Sequence, residues 1–166
     1  MVLKQCLVTA LIAIVCMAFS LEDGQLEKKI DKTLKAVWPE YELVHEPIKS
    51  EHLIGDEQAF RLLHGDELLG YYIIDKAKSK FDLFDFMLVF DTEGNIIKPA
   101  VLIYREDYGG EICSKRWLRQ FIGMDADSDM RLGQEVQNIS GATMSCDAAS
   151  RGFKIASERI KAIIDG

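Results

Sequence analysis

Cysteine and histidine are scarce in this chain of 166 residues, and their scarcity excludes several chemistries. The 4 cysteines include no Cys-x-x-Cys pair, so neither a dithiol redox centre nor c-type haem attachment through Cys-x-x-Cys-His is encoded. The 3 histidines, His45, His52 and His64, lie scattered without ligand spacing, and no metal is expected. No Ser/His/Asp or Cys/His arrangement can be argued, so no catalytic residue is assigned. Proline is limited to 3 residues. No Pro/Gly-rich linker, repeat or low-complexity tract follows the N-terminal segment, and nothing marks a domain boundary. Positive charge is the minority sign, with 20 Lys+Arg against 27 Asp+Glu and a net charge of −7. That balance argues against a nucleic-acid partner, which would want a basic face. Acidity of this size chiefly keeps a domain soluble.

What is present is ordinary globular material. Apolar residues make 48% and charged residues 28%, which suits one domain with a proper core. The N-terminus stands apart from it. Lys4 is followed by an uncharged run from Cys6 to Phe19. This run is shorter than the ~20 residues of a spanning helix. With Ala18-Phe19-Ser20 at its end, it reads as a secretory signal cleaved after Ser20 or as a retained N-terminal membrane anchor. Lipid attachment at Cys16 is disfavoured because Val15 stands where a small residue is wanted. Removing residues 1–20 takes the net charge from −7 to −8, because they hold one lysine and no acid. Either reading puts residues 21–166, a single domain, outside the cytoplasm: periplasmic or at the cell surface. In such a compartment the remaining Cys113 and Cys146 either pair as a disulfide or stay as separate, partly buried thiols.

Periodicity predicts the elements. Leu26, Ile30, Leu34 and Val37 recur at helical spacing over Leu26 to Trp38, with Pro39 beyond. Tyr41 to His45 reads as a short strand. Ala59–His64 and Glu67–Ile74 flank Gly65-Asp66 as a hairpin, and Leu83–Phe90 and Ile96–Tyr104 flank Asp91–Asn95 as a second one. Pro99 suits an edge, a strand start or a bulge, because it lacks a ladder donor. Ile112 to Ile122 reads as a helix with Trp117 and Phe121 on one face, and Asp125 to Asn138 as polar loop. The last helix runs from about Cys146 to Ile164 on a stripe of Phe153, Ala156, Ile160 and Ile163, capped by Thr143 or Ser145. This order predicts an α+β fold: a twisted antiparallel sheet with helices packed against it, most simply on one face.

Several features read as structural. Asp125-Ala-Asp127-Ser-Asp129 starts like a calcium loop, yet Met130 stands where glycine belongs and Val136 where the closing glutamate belongs. It reads as a solvated acidic loop. Lys115, Arg116 and Arg119 read as the wet face of a helix.

Ser140-Gly141-Ala142-Thr143, followed by Met144, is different in kind. It places a hydroxyl on a small-residue turn ahead of an amphipathic helix. Such a turn lets a phosphate approach the backbone, and the helix start supplies unpaired N–H groups and positive dipole. Alone, the string reads as a tight turn and a helix start.

In context, the chain resembles the FMN-binding domain of the Rnf electron-transport complex and of the sodium-translocating NADH:quinone reductase. That family carries Ser/Thr-Gly-Ala-Thr/Ser, and a flavin transferase joins FMN by a phosphoester to the last hydroxyl, here Thr143. The resemblance continues through the strand–Asp91-x-x-Gly94–strand unit, the acidic glycine loop Glu106-Asp107-Tyr108-Gly109-Gly110, and the helix with Trp117 and Phe121. It spans about residues 25 to 165 in order, and only the turn is specific. It implies FMN on Thr143, a turn of Ser140, Gly141 and Ala142 beneath the phosphate, and Glu106, Tyr108 and Met144 near the ring. It implies a carrier served by redox partner proteins at or outside the membrane, and by the transferase. One departure is Gln137, where the family usually has Asp six residues before the modified threonine. That departure motivates one alternative, a module that holds FMN without an ester as a sensor or regulator; a second, separate alternative is a flavin-free interaction domain of the same fold.

Overall fold

The strand Leu83–Phe90 buries every residue but Leu83, and that sets the architecture. Side chains alternate across a strand. Phe84, Phe86, Leu88 and Phe90 therefore enter one apolar cluster, while Met87 and Val89 enter another on the opposite face. A sheet buried on both faces needs cover on both.

The structure, a computed structural model, describes residues 24–166. The N-terminal signal or anchor segment lies outside the described residues. Helix α1 spans 24–35. Strands β1 (Val44–Pro47), β2 (Gln58–His64), β3 (Glu67–Lys78), β4 (Leu83–Phe90) and β5 (Ile96–Ile103) form one antiparallel sheet in the order β1-β2-β3-β4-β5. Each strand pairs with its neighbour in sequence, so short connections suffice. Asp91 holds the β4–β5 turn, its Oδ1 accepting from the amides of Glu93 (3.0 Å) and Asn95 (2.9 Å). After β5 come the short helix α2 (Lys115–Leu118) and the long helix α3 (Thr143–Asp165). The fold is α+β, as the element order implies.

Helix α3 covers one face. Cys146, Ala149, Phe153, Ala156 and Ile160 are fully buried on it. The rings of Phe86 and Phe121 flank Phe153 at centroid distances of 5.0 and 4.8 Å. Each such large side chain contributes about 1.5–3 kcal/mol through burial. Helix α1 covers the other face: Leu34, with Leu26 and Ile30, packs on Leu62, Tyr72, Met87, Val89 and Leu102. Helices on one face only is thus corrected to helices on both.

The continuous helix expected from Ile112 to Ile122 is broken into a 3-10 turn (Gly110–Cys113), α2 and a second 3-10 turn (Arg119–Phe121). Ser114 causes the break. It adopts extended backbone (φ −70, ψ 136), and its side chain accepts from the Trp117 amide. Trp117 and Phe121 still meet edge to face at 5.1 Å inside the core. Boundaries also move: α1 ends at 35 short of Trp38, the first strand is Val44–Pro47, β3 continues to Lys78, and α3 begins at Thr143 ahead of Cys146; the polar loop contains an isolated parallel bridge between Leu132 and Val136. Pro99 lies on β5, an outer strand. Among the described residues, no helix is long and apolar enough to cross a membrane.

Candidate functional site

The turn before α3 is built by Gly141, whose φ of 88 is a left-handed conformation that a side chain would strain. The Ala142 amide donates to Ile139 O (3.0 Å), and the Cys146 amide then makes the first helical bond, to Ala142 O (2.9 Å). Ala142 is the N-cap, with no side-chain cap bond. This corrects the capping role expected of Thr143 or Ser145. Thr143 is the first helical residue, and its exposed Oγ accepts from Asn138 Nδ2 at 2.8 Å. Asn138 occupies an acceptor site on that oxygen and leaves the hydroxyl proton available. The amides of Thr143, Met144 and Ser145 have no intrahelical acceptor, as at any helix start. Ser145 is buried, so its hydroxyl turns inward to Tyr104 Oη (2.8 Å) and Ser79 Oγ (3.0 Å).

Opposite stands the loop after β5. Tyr104 donates to Tyr108 O at 2.6 Å and fixes the loop's curvature. Gly109 has φ 84, and a Cβ on it would lie 2.3 Å from Ser145 Oγ and 2.6 Å from the Tyr104 oxygen. No other residue lets this loop close on α3. Glu106 reaches back to the β3–β4 connection, its Oε1 accepting from the amides of Phe81 (2.9 Å) and Asp82 (3.0 Å). Desolvation pushes its carboxyl up, but those two amides, the Ser79 hydroxyl and the Lys78 charge together hold it below the usual range. Arg105 ties the loop down through Asp85, a nearly buried carboxylate 2.6 Å away, and Leu83 O.

Between these walls is a cavity of about 610 Å³. Of the residues singled out in the sequence, Thr143, Gly141, Ala142, Met144, Glu106 and Tyr108 line it, whereas Ser140 is exposed and does not. Lys80 and Arg105 bring positive charge, and Asp82, Glu106 and Asp107 bring negative charge. Phe81, Tyr108 and Met144 are exposed large side chains on the same walls. The donor set suits a phosphate: free first-turn amides, a positive helix end, and a lysine. The exposed aromatics suit a flat ring.

Sequence reasoning missed Asn138, Ser79 and the Lys80–Asp82 segment. Asn138 is five residues from Thr143, and no spacing rule joins them; Ser79 meets Ser145 only because β3 lies under α3. Gln137 is exposed and held by its backbone, its amide donating to Gln120 Oε1 (2.8 Å) and its carbonyl accepting from the Trp117 indole (2.8 Å).

Other features lie elsewhere. Cys113 and Cys146 are separate thiols, Cys113 exposed and Cys146 in the core, which puts aside the disulfide alternative. Desolvation by the atoms packed around each sulfur, partial for the exposed Cys113, pushes both thiols up, despite Lys29 near Cys113 and the Ile139 hydrogen bond at Cys146. His45 Nδ1 meets Tyr72 Oη (2.9 Å), and His64 Nδ1 donates to Glu42 O (3.1 Å). Asp125 Oδ1 accepts from the Asp127 and Ser128 amides (2.9 Å each), and Asp127 and Asp129 pair with Lys161 and Arg131 at 2.6 Å. Among the described residues, no cluster of His, Cys, Asp or Glu is placed to hold a metal ion. In comparisons with known proteins, the chain matches no family model and no curated protein.

Proposed function

We propose that this chain is an exported electron-transfer flavoprotein, with FMN joined through its phosphate to the Thr143 hydroxyl. The observation that carries the reading is the meeting of the α3 start with the Glu106–Gly109 loop on one cavity of about 610 Å³. That volume is within the range of cofactor and ligand pockets. A phosphodiester keeps about one negative charge. The amides of the first turn of α3 and the Lys80 ammonium are the groups that answer it. Asn138 orients the Thr143 oxygen for attachment. Oγ would give its proton to a base of the flavin transferase and form the O–P bond as the P–O bond to the leaving phosphate of an activated flavin diphosphate donor breaks, that phosphate taking the electron pair. Phe81, Tyr108 and Met144 supply the surface against which a flavin ring would lie. Bound FMN supplies reversible uptake and release of electrons, while the protein sets orientation and potential. Redox partners at or outside the membrane would deliver and collect the electrons.

The test is production with and without a flavin transferase, followed by intact mass and by denaturing gel filtration. The expected result is an added FMN that survives denaturation and is abolished in Thr143→Ala. That variant loses one exposed hydrogen bond and about 0.5–1 kcal/mol of stability. A bare mass after exposure to an active transferase overturns the covalent reading. Gln137, in place of the family's aspartate, favours a second reading, in which FMN binds without an ester. Flavin released into the filtrate on denaturation decides for it. Absence of any flavin colour decides for an interaction domain.

A further inference from the structure

We propose that the cleft between α1, the outer edge of β5 and α2 docks an acidic, extended segment of a partner protein. Lys32 of α1, Lys98 of β5, and Lys115 and Arg119 of the α2 segment line this cleft of about 310 Å³, and no carboxylate lines it. The whole chain is acidic, at −7, so a cleft of one positive sign runs against its general balance. Some surface cations elsewhere have a carboxylate partner, as in Arg61–Glu46, Arg131–Asp129 and Lys161–Asp127, and others among the described residues stand alone; what sets the cleft apart is four cations lining one concavity with no carboxylate among them. Among the described residues, none of Lys32, Lys98, Lys115 and Arg119 enters an ion pair. Gathered like charges repel until an anion enters.

The floor and the back wall specify what kind of anion. Val101, Leu118 and the exposed Ile122 make the floor apolar. Strand β5 is the last of the sheet. At one end its outer edge is covered, where the Ile96 amide donates to Met124 O and the Gly123 amide donates to Ile96 O, each at 2.8 Å. At the other, Lys29 donates to Leu102 O. The stretch between, Lys98 to Val101, faces the cleft. A strand edge offers backbone groups to an extended chain, and the flanking cations select an acidic one. A flat array of lipid headgroups does not enter a concave cleft. A single small anion does not engage cations spread over three elements. Lys98 and Pro99 also guard the edge against pairing with another copy of β5; the helix-borne Lys32, Lys115 and Arg119 are not needed for that.

The experiment needs no flavin, so its failure is separate from failure of the flavin reading. Fluorescein-labelled hexaglutamate is titrated with the full chain and followed by anisotropy at low and physiological salt. Binding is expected, weaker as salt rises. Lys98→Glu/Arg119→Glu is expected to weaken it about tenfold or more. Lys28→Glu/Lys49→Glu makes the same change of net charge on exposed residues outside the cleft and should leave it within about twofold. If the first pair misfolds by circular dichroism, Lys98→Gln/Arg119→Gln takes its place, with the same direction. Bound peptide should also slow alkylation of Cys113, which lines the cleft, while the core thiol of Cys146 stays silent. No binding at low salt, equal loss in both charge-reversal pairs, or full displacement by inorganic phosphate at the peptide's own concentration overturns the proposal. So does retention on phosphatidylglycerol vesicles through the same residues when the peptide does not bind.

Discussion

Glu106 shows how far a residue's work can be read before folding. The family resemblance singles it out for a place near a flavin ring, and it does line the cavity. What its carboxylate touches in the folded chain is the Phe81 and Asp82 amides, at 2.9 and 3.0 Å. Together with the Ser79 hydroxyl and the Lys78 charge, those contacts outweigh desolvation and hold its pKa below the usual carboxylate range. A depressed acid contributes stability above its unfolded pKa and loses that contribution as pH falls through its folded pKa. Amide resonances of Phe81 and Asp82 followed against pH should therefore titrate below about 4.3, the ordinary glutamate value. A midpoint at or above it contradicts the carboxylate clamp. Asn138 teaches the complementary lesson: a side-chain contact across five residues of irregular backbone leaves no periodic mark in the sequence.

At the scale of elements, strands and hairpins were legible because alternation and turn residues are local signals. β4 is the limit of that legibility. Its unbroken run, Leu83–Phe90, marks it as buried but does not say what lies on each side. Helix α1 turns out to cover the second face, anchored by Leu34, its one fully buried residue, at 1% exposure. Leu34→Ala should cost about 2–5 kcal/mol. Hydrogen exchange should show 24–35 opening first while α3 keeps its protection. Uniform loss across the fold would mean that α1 is not a separable cover. The break at Ser114 was hidden for the opposite reason: Trp117 and Phe121 keep helical spacing even though the backbone between the turns does not stay helical.

Across the whole molecule, Arg159 on α3 binds two carboxylates far away in sequence, Glu57 at 3.1 Å and Asp75 of β3 at 2.9 Å. Burial pushes Asp75 up, against the Lys76 amide and the Arg159 charge. Arg159→Met should leave the buried Glu57 and the half-buried Asp75 without their cation and cost about 3 kcal/mol in urea unfolding at neutral pH, the low end for a broken buried pair. Asp75 already binds its proton more tightly folded than unfolded. The variant's penalty should therefore shrink as pH falls and Asp75 protonates. A cost that stays constant with pH would place the loss in packing instead. By itself the sequence determined the α+β class, the hairpins, the long last helix and the Ser140–Thr143 turn, because each depends on neighbours within a few positions. Only the tertiary structure decided that the turn faces the Glu106 loop, that α1 and α3 lie on opposite sides of the sheet, and that Lys32, Lys98, Lys115 and Arg119 share one cleft. Those meetings are between segments distant in sequence, and they follow from strand order and helix packing, which no local pattern encodes.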